Sequence, residues 1–403
     1  MRKNIYVRFS IIFFLFFLSW SATYTLISIW LGQAIHLSGG EIGTLYSING
    51  IFALILQPLY GYLLDKIGDR KNILVYLSIL LVLTAPFFIY IYGPLLHVNF
   101  WLGAILGGAF LGGSYLAAIG AVESYVEKIS RKYDFEYGNV RMWGSLGTAI
   151  AAFFAGRLFN TNPNYNFWLG SIAAVGVLMI LLTTKVDVTD VEIKSATSVK
   201  VKDIFELFRM KDFWCFIIFI IGIASMYTIY DQQFPRYFAE QFSTVTDGNQ
   251  MYGYLNSLQT FVEAGMMFLA PKIVNKIGVR TSMLLVGILL GFRIILTSVV
   301  SGPVLISIIK MIQAFDMPLL YISIFKYINL NFESRLSSIL YLVGYQFISQ
   351  IGVISLSSTM GKMYDLLGYQ TAYLYLGLVV CLFVVVSFFT LNKDSQKQVL
   401  TSE

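Results

Sequence analysis

Two charged residues at apolar stretches, Glu123 and Arg141, are the first candidates in this sequence for binding a polar ligand. They flank the charged segment 127–136, which we predict to be a loop at a membrane surface. A reversal near residues 131–135 would bring them to similar depth on antiparallel helices, each about two turns from the bend at about 1.5 Å per residue. Since charges inside a bilayer face partners or watery cavities, we interpret the pair as a functional site. An ion pair that only locks two helices is the alternative.

The second half of the chain places further polar groups at helical spacing. Tyr227 and Asp231 are four residues apart, so they share one helix face. Lys310, Gln313 and Asp316 follow at intervals of three, so they lie along one broad face with Gln313 in the middle. Because charges scattered against lipid would be costly, we expect these groups to converge on a cavity. A set of structural ion pairs is the alternative.

Two further charges belong to this second group, Glu263 and Arg293. From the residues alone we interpret Asp231 with Lys310 as a structural pair. Glu263 and Asp316 are the functional candidates.

The composition indicates an all-α integral membrane protein. The chain is 57% hydrophobic and 12% charged, with a mean hydropathy of +0.72, whereas a soluble domain carries about 25% charge. The first apolar run extends to Leu31 without a convincing cleavage site, so we predict a retained helix. Cys215 and Cys381 suggest no disulfide or metal site. His36 and His97 lie near helix ends, which disfavours a histidine-based catalytic centre, and no phosphate-cradling loop is present. We therefore expect no enzyme, no metal and no cofactor.

Twelve apolar stretches are candidates for transmembrane helices of about 20 residues. Lysine and arginine fall mostly in alternate loops, which predicts that both termini and the longest loop, 185–212, are cytoplasmic. Basic loops beside a membrane also explain the net charge of +6 without nucleic acid as a partner. The loop divides the chain into an N-terminal half, 1–184, and a C-terminal half, 213–403. The predicted spans are 7–32, 43–64, 72–93, 99–125, 139–159, 166–184, 213–235, 251–271, 281–300, 304–328, 335–360 and 369–391.

A short repeat relates the two halves. Asp65–Arg70 reads DKIGDR after the second span, and Asn275–Arg280 reads NKIGVR after the eighth. Two parallel six-helix halves with a charged, glycine-containing turn at this place resemble the major facilitator superfamily. Such halves enclose a central site near the bilayer midplane.

Longer motifs are similar to the oligosaccharide/proton symporters, the group of the lactose and sucrose permeases, over nearly the whole chain. The shared motifs are Ala121-Val122-Glu123, Phe135-Glu136-Tyr137-Gly138 with Arg141, Asp231-Gln232-Gln233, Tyr252-Gly253-Tyr254 and Phe325-Lys326-Tyr327. Those more similar to the sucrose permease are Tyr254-Leu255-Asn256-Ser257, Leu336-Ser337-Ser338 and Gly368-Tyr369-Gln370-Thr371.

The resemblance implies a sugar site in the middle of the membrane. Glu123 and Arg141 match an acidic–arginine pair that binds sugar hydroxyls. A guanidinium offers a bidentate fork to vicinal hydroxyls, and a carboxylate accepts from them. We also assign Glu263, Asn256 and Gln346 to substrate binding.

The resemblance also implies a proton pathway. Arg293 matches an arginine implicated in proton handling, and Asp316 matches a glutamate that carries the coupled proton. Asp231 and Lys310 match a structural charge pair. Gln313 stands where the lactose permease has a histidine, and a glutamine side chain cannot titrate. Asp316 is one methylene shorter than the glutamate it matches.

Other departures bear on the substrate. A tryptophan that stacks on galactose in the lactose permease is Thr148 here, which argues against a lactose-type galactoside pocket. A second charge pair of the lactose permease corresponds here to the neutral residues Thr228 and Ser349. Because both charges are absent, neither is left without a partner. The lactose permease has a site glutamate on the eighth span, and the matching residue here is Thr260. Glu263 lies one turn later, as in the sucrose permease.

The sequence therefore predicts a monomeric proton-coupled disaccharide importer of a bacterial inner membrane, carrying sucrose or a related oligosaccharide by alternating access. A proton-independent sugar facilitator or exchanger is the alternative within transport. A drug or lipid exporter and a membrane sugar sensor are further alternatives.

Overall fold

The computed structural model describes residues 2–67, 71–186, 207–332 and 340–392, and nearly all of these residues are helical. We number the helices in chain order, treating the run Leu340–Phe347 with Ile348–Thr390 as α11 and α12, divided at Gly368 where the backbone leaves the helical region (φ 76°). The others are α1 Asn4–Ala34, α2 Gly39–Ile67, α3 Asn72–Val82 with Thr84–Val98, α4 Phe100–Lys132, α5 Tyr137–Thr161, α6 Tyr165–Thr183, α7 Lys211–Ala239, α8 Val245–Ile277, α9 Val279–Val299 and α10 Pro303–Asn331.

Every predicted span has a helical counterpart within the described ranges, but the number of membrane crossings is less direct. Eight helices are long and apolar enough to cross a membrane, and α3, bent by 46° at its break, would be a ninth. Helices α5 and α8 fall short because they carry polar residues in their interiors, and the last long run contains a break. The count of twelve transmembrane helices therefore stays a prediction.

The prediction of a loop over residues 127–136 was wrong in its first part. Helix α4 continues to Lys132, and the chain reverses at Asp134, where φ is +53°. Within the extension Arg131 donates to Glu127 at 2.8 Å, one helical turn away. Alternating charges at this spacing support a helix, so a charged segment at a membrane surface need not be a loop.

Two other predictions fall partly outside the described residues. The central loop 185–212 is shorter than expected, since Lys211 and Asp212 already belong to α7, and residues 187–206 lie outside the described ranges. Residues 68–70 of the first repeat and the segment 333–339, which holds Leu336-Ser337-Ser338, lie outside them as well.

Helices α1–α6 and helices α7–α12, which we call the two halves, contact each other closely at the end where α2 begins. Asp365 of α11 accepts hydrogen bonds from the backbone amides of Gly39 and Gly40, both at 2.7 Å. These amides open α2 and have no partner within that helix. Beside them, a Cβ at Gly43 would collide with the Ser357 carbonyl, so only glycine permits this approach.

A second contact between the halves lies at the same end. Asn249 of α8 exchanges two hydrogen bonds with the Gln33 amide of α1, at 3.2 and 3.0 Å. It also donates to Asn160 of α5 at 3.3 Å. A Cβ at Gly156 would collide with the Asn249 carbonyl. We call these two groups of contacts the closed end of the molecule.

Candidate functional site

The structure brings Glu123 and Arg141 together on neighbouring helices, as their spacing predicts. Arg141 Nε of α5 lies 2.9 Å from Glu123 Oε1 of α4, and each side chain is about one third exposed. The guanidinium also lies over the Phe17 ring of α1, 4.4 Å from its centroid. A cation held by an aromatic face and a carboxylate is fixed in direction, so the pair presents polar groups to solvent in a defined orientation.

Glu123 of this pair lines a cavity of about 560 Å³ between the two halves. The volume is within the range of small-molecule sites. The cavity lies opposite the closed end, at the ends of α2, α4 and α10 and the start of α11. It is lined by Leu64, Glu123, Ser124, Tyr125, Glu127, Lys128, Arg131, Tyr137, Phe325 and Tyr341.

The second half contributes a stacked aromatic pair to this wall. The rings of Phe325 and Tyr341 lie 4.4 Å apart and nearly parallel. Phe325 belongs to a motif that the sequence singles out, but Tyr341 does not. Nothing in the sequence distinguishes it from the other tyrosines of the chain, because its place is set by how α11 meets α10.

Four polar side chains of the C-terminal half form one chain of contacts. Lys310 Nζ donates to Asp231 Oδ1 at 2.9 Å, with Lys310 almost completely buried and Asp231 one quarter exposed. Gln313 donates through Nε2 to the other oxygen of Asp231. Its Oε1 accepts from Arg293 Nη1 at 2.7 Å. The predicted face of Lys310, Gln313 and Asp316 is thus turned inward, and Gln313 links the Asp231–Lys310 pair to Arg293.

The innermost pair of the C-terminal half is Arg293 with Asp316. Both side chains are completely buried, and Arg293 Nε lies 3.5 Å from Asp316 Oδ2. The guanidinium also lies over the rings of Tyr227 and Tyr230, at 4.9 and 5.1 Å. Neither Asp316 oxygen has a hydrogen-bond partner among the described residues. This is an ion-pair contact without the hydrogen bonds that would fully satisfy a buried carboxylate.

Glu263 lies between the two groups of charges. Its Oε2 accepts from Gln259 Nε2 of the same helix at 3.1 Å. Its electrostatic neighbours include Arg141 from the first half and Lys310 and Asp231 from the second. Gln259 is a polar neighbour that the sequence reasoning missed, although its four-residue spacing from Glu263 could have identified it.

The structure brings the last two predicted site residues less close. Asn256 is half-buried two turns before Glu263 on the same face of α8. Gln346 is half-buried in the π-helical opening of α11, five residues after Tyr341 of the cavity wall. Short π-helical segments are frequent at functional sites.

Three tryptophans of the first half, Trp20, Trp30 and Trp143, are not among the residues that line the cavity. Trp20 stacks on Tyr24 with ring centroids 5.4 Å apart. Trp30 packs edge-on against Phe167 at 5.0 Å, and Trp143 is 38% exposed. Trp20 and Trp30 therefore pack helices in this conformation.

Two of the threonines that depart from the lactose permease, Thr148 and Thr228, are accommodated locally. Thr148 Oγ1 donates to the Gly144 carbonyl at 3.1 Å, and Thr228 Oγ1 donates to the Ala224 carbonyl at 3.3 Å. Each of these hydrogen bonds joins two residues of the same helix, α5 for Thr148 and α7 for Thr228. A threonine that satisfies its hydroxyl in this way leaves no polar group in need of a distant partner.

With this geometry in view, comparison with known proteins decides the family. The profile of the LacY proton/sugar symporter family matches residues 1–403. The chain belongs to the LacY proton/sugar symporter family. It is 41% identical to the sucrose permease of Escherichia coli over 99% of this chain and 96% of that protein. It is 37% identical to the raffinose permease of Escherichia coli over 96% of this chain and 92% of that protein.

A solved structure supports the same fold. The crystal structure of the nucleoside transporter NupG matches 96% of this chain and 99% of its own, with a TM-score of 0.83 at 15% identity. At that identity the likeness concerns the fold alone. As a member of the LacY family, the chain is a multi-pass membrane protein of the major facilitator fold, a sugar/proton symporter and not an enzyme.

Proposed function

We propose that this symporter imports a disaccharide, sucrose or a related oligosaccharide, together with a proton. The observation that carries this proposal is the Glu123–Arg141 pair beside a cavity of about 560 Å³. A partly hydrated carboxylate and guanidinium can exchange their mutual contact for sugar hydroxyls, with Arg141 donating and Glu123 accepting. The likeness to sucrose and raffinose permeases supports an oligosaccharide over an apolar drug or lipid.

Three polar residues of the second half complete this sugar site in our proposal. Glu263, Asn256 and Gln346 bind further hydroxyls from the second half, and the rings of Phe325 and Tyr341 cover the apolar face of a sugar. Because groups from both halves then hold one ligand, the sugar favours the conformation in which the halves meet around it.

Asp316 is the proton carrier in this proposal, and Arg293 controls its release. A completely buried carboxyl group without hydrogen bonds to either oxygen fits the protonated, neutral form better than the ionised one. A closer approach of Arg293 in another conformation would favour the carboxylate and expel the proton. Gln313 holds Arg293 near by its carbonyl oxygen, and Asp231 with Lys310 anchors Gln313.

Uptake into proteoliposomes tests this function. We expect purified protein to accumulate radiolabelled sucrose, or raffinose in the same panel, only when a pH gradient is imposed. Equilibration without accumulation would favour the proton-independent facilitator, which the neutral Gln313 in the network makes the second candidate. Failure to move any of sucrose, raffinose, lactose and melibiose would contradict a disaccharide transporter.

We further propose a monomer in a bacterial inner membrane with both termini in the cytoplasm. The halves 1–184 and 213–403 move about the cavity, with 185–212 as a cytoplasmic connection. The basic loops support this orientation, which makes the closed end extracytoplasmic. Cysteines placed at the exposed residues Glu136 and Asp247, in a variant without Cys215 and Cys381, test it. An impermeant thiol reagent should label position 247 on intact cells and not position 136; the reverse would invert the topology.

A further inference from the structure

Gln259 of α8 leaves one of its two polar atoms unpaired inside the protein. Its Nε2 donates to Glu263 Oε2 at 3.1 Å, one turn along the same helix. The residue is only 4% exposed, and its Oε1 has no hydrogen-bond partner among the described residues. A buried unpaired acceptor is costly, so this position is explained best if the oxygen gains a donor in another state.

Glu263 is placed to supply that donor. As a carboxylate it can only accept, whereas as a carboxylic acid it carries one O–H donor. The two ends of a Gln amide have nearly the same shape. A half-turn of the Gln259 amide therefore presents Oε1 in place of Nε2, and the amide can pair with either form of Glu263.

The surroundings of Glu263 allow its charge to change during transport. The side chain is half-buried at the junction of the two halves, so its distance from charges in the other half changes when they move. Cations favour its ionised form, and anions favour its protonated form. The charged and titratable groups that interact with it are Arg141 of α5, Asp231 and Tyr227 of α7, and Lys310, Asp316 and Tyr321 of α10.

We propose that Gln259 is the positioning residue of Glu263. It donates to the carboxylate while Glu263 binds a sugar hydroxyl, and it turns its amide to accept from Glu263 when that group takes up a proton. The inference rests on the proposed function, since it assumes that Glu263 contacts sugar. It assigns to Gln259 a part in transport that neither the sequence motifs nor the ion pairs indicate.

A double-mutant cycle on the full chain tests this inference. Equilibrium binding of radiolabelled sucrose is measured for the wild type, Gln259→Met, Glu263→Gln and the double variant, each over a series of pH values. Gln259→Met is similar in size but has no donor. We expect it to weaken sucrose binding about tenfold, the lower end for a hydrogen bond to a charged group. In the Glu263→Gln background the same substitution should change binding less than about twofold, since no carboxylate remains to be held.

The pH profile distinguishes positioning from packing. Without an amide donor the carboxylate is harder to maintain, so acid weakening of sucrose binding should begin at higher pH in Gln259→Met than in the wild type. Gln259→Asn keeps the amide on a shorter side chain and should bind sucrose with an affinity between the two.

Gln250 offers a matched control on the same helix. Its Nε2 donates to the Tyr254 hydroxyl, also four residues along, at 2.7 Å. We expect Gln250→Met to leave both the sucrose affinity and its pH profile unchanged.

Two contrary outcomes are separable. Equal losses from Gln259→Met in both backgrounds, or an unshifted pH profile, would mean that Gln259 only fills space, and the proposed function would stand. A wild type that binds none of sucrose, raffinose, lactose and melibiose would overturn the proposed function and this inference together.

Discussion

The two halves of this symporter each hold an arginine–carboxylate pair, but the pairs have opposite access to water. Arg141 and Glu123 approach to 2.9 Å and are each about one third exposed beside the cavity. Arg293 and Asp316 approach only to 3.5 Å and are completely buried. The same two functional groups therefore meet different solvation, and solvation decides what each pair can do.

A hydrated pair loses little when its members separate, because water replaces the partner. It can therefore bind a sugar in exchange for its own contact. In a buried pair each charge is stabilised mainly by its partner, because no water is near. If the partner moves away, the carboxyl group takes up a proton more readily than it remains ionised without a partner. This difference in solvation is the reason that we propose ligand exchange for the first half and proton handling for the second.

Among these variants we expect the largest effect from Asp316→Asn, which removes the ionisable group of the buried pair. A permanently neutral side chain cannot release a proton, so accumulation of sucrose on a pH gradient should be lost completely, while exchange of sucrose across the membrane remains. Counterflow and gradient-driven uptake in proteoliposomes measure the two activities. The exposed Asp247→Asn serves as the control and should retain both. If Asp316→Asn still accumulates sugar, the proton carrier is another residue, with Glu263 the first to examine.

Substitutions in the Asp231–Lys310 pair test the buried charges of the second half through the stability of the folded protein. Asp231→Asn leaves the buried Lys310 ammonium without its carboxylate and should destabilise the protein by about 3–5 kcal/mol. The double variant with Lys310→Met removes both charges and should recover most of that loss. Thermal unfolding of detergent-purified protein measures both. Glu127→Gln, which breaks the exposed Arg131 pair, should change stability by less than about 1 kcal/mol. A double variant no more stable than Asp231→Asn would argue against an isolated structural pair.

Arg141→Lys tests the hydrated Glu123–Arg141 pair of the first half. The ammonium keeps the charge but lacks the planar fork, so we expect sucrose binding to weaken about 100-fold, or about 2.7 kcal/mol, with normal membrane insertion. Arg157→Lys, an exposed arginine later on the same helix, should bind as the wild type does. Near-normal affinity in Arg141→Lys would remove the fork from the site.

Glu123→Gln should have the smallest of these effects. Glutamine still accepts a hydrogen bond, and partial exposure lets water compensate for the lost charge, so we expect about a tenfold weaker affinity for sucrose, near the lower end for charge-assisted bonds. Isothermal titration of purified protein measures it. A loss as large as that of Arg141→Lys would mean that the two residues act as one unit and that the pair is less hydrated when sugar is bound.

The sequence predicts the contacts that rest on helical spacing. The two intervals of three from Lys310 through Gln313 to Asp316, and the antiparallel placing of Glu123 and Arg141, both appear in the structure, because a helix fixes which residues share a face. The prediction of a loop is wrong over residues 127–132 because a helix that emerges from a membrane carries charge as well as a loop does. The positions of Tyr341 and Gln346 depend on how two helices meet, and no local pattern carries that information.

The conformational state could not be predicted at all. The same sequence must adopt forms with either end closed, so its residues fit both. Asn249 and Asp365 give no sign in the sequence that they link the halves, because Gln33 and Gly39, which they contact across the halves, are ordinary amide and backbone groups more than 200 residues away.

The contacts of the closed end have a consequence for the energy landscape of the transporter. Asp365, the amides of Gly39 and Gly40, and the Gln33–Asn249 pair are all groups that water satisfies as well as the protein does. Each bond therefore contributes only about 0.5–1.5 kcal/mol net, or up to about 3 kcal/mol where a charge takes part. A latch of this kind keeps the two forms within a few kcal/mol of each other, so the populations can be reversed by the difference in affinity that a single bound sugar supplies.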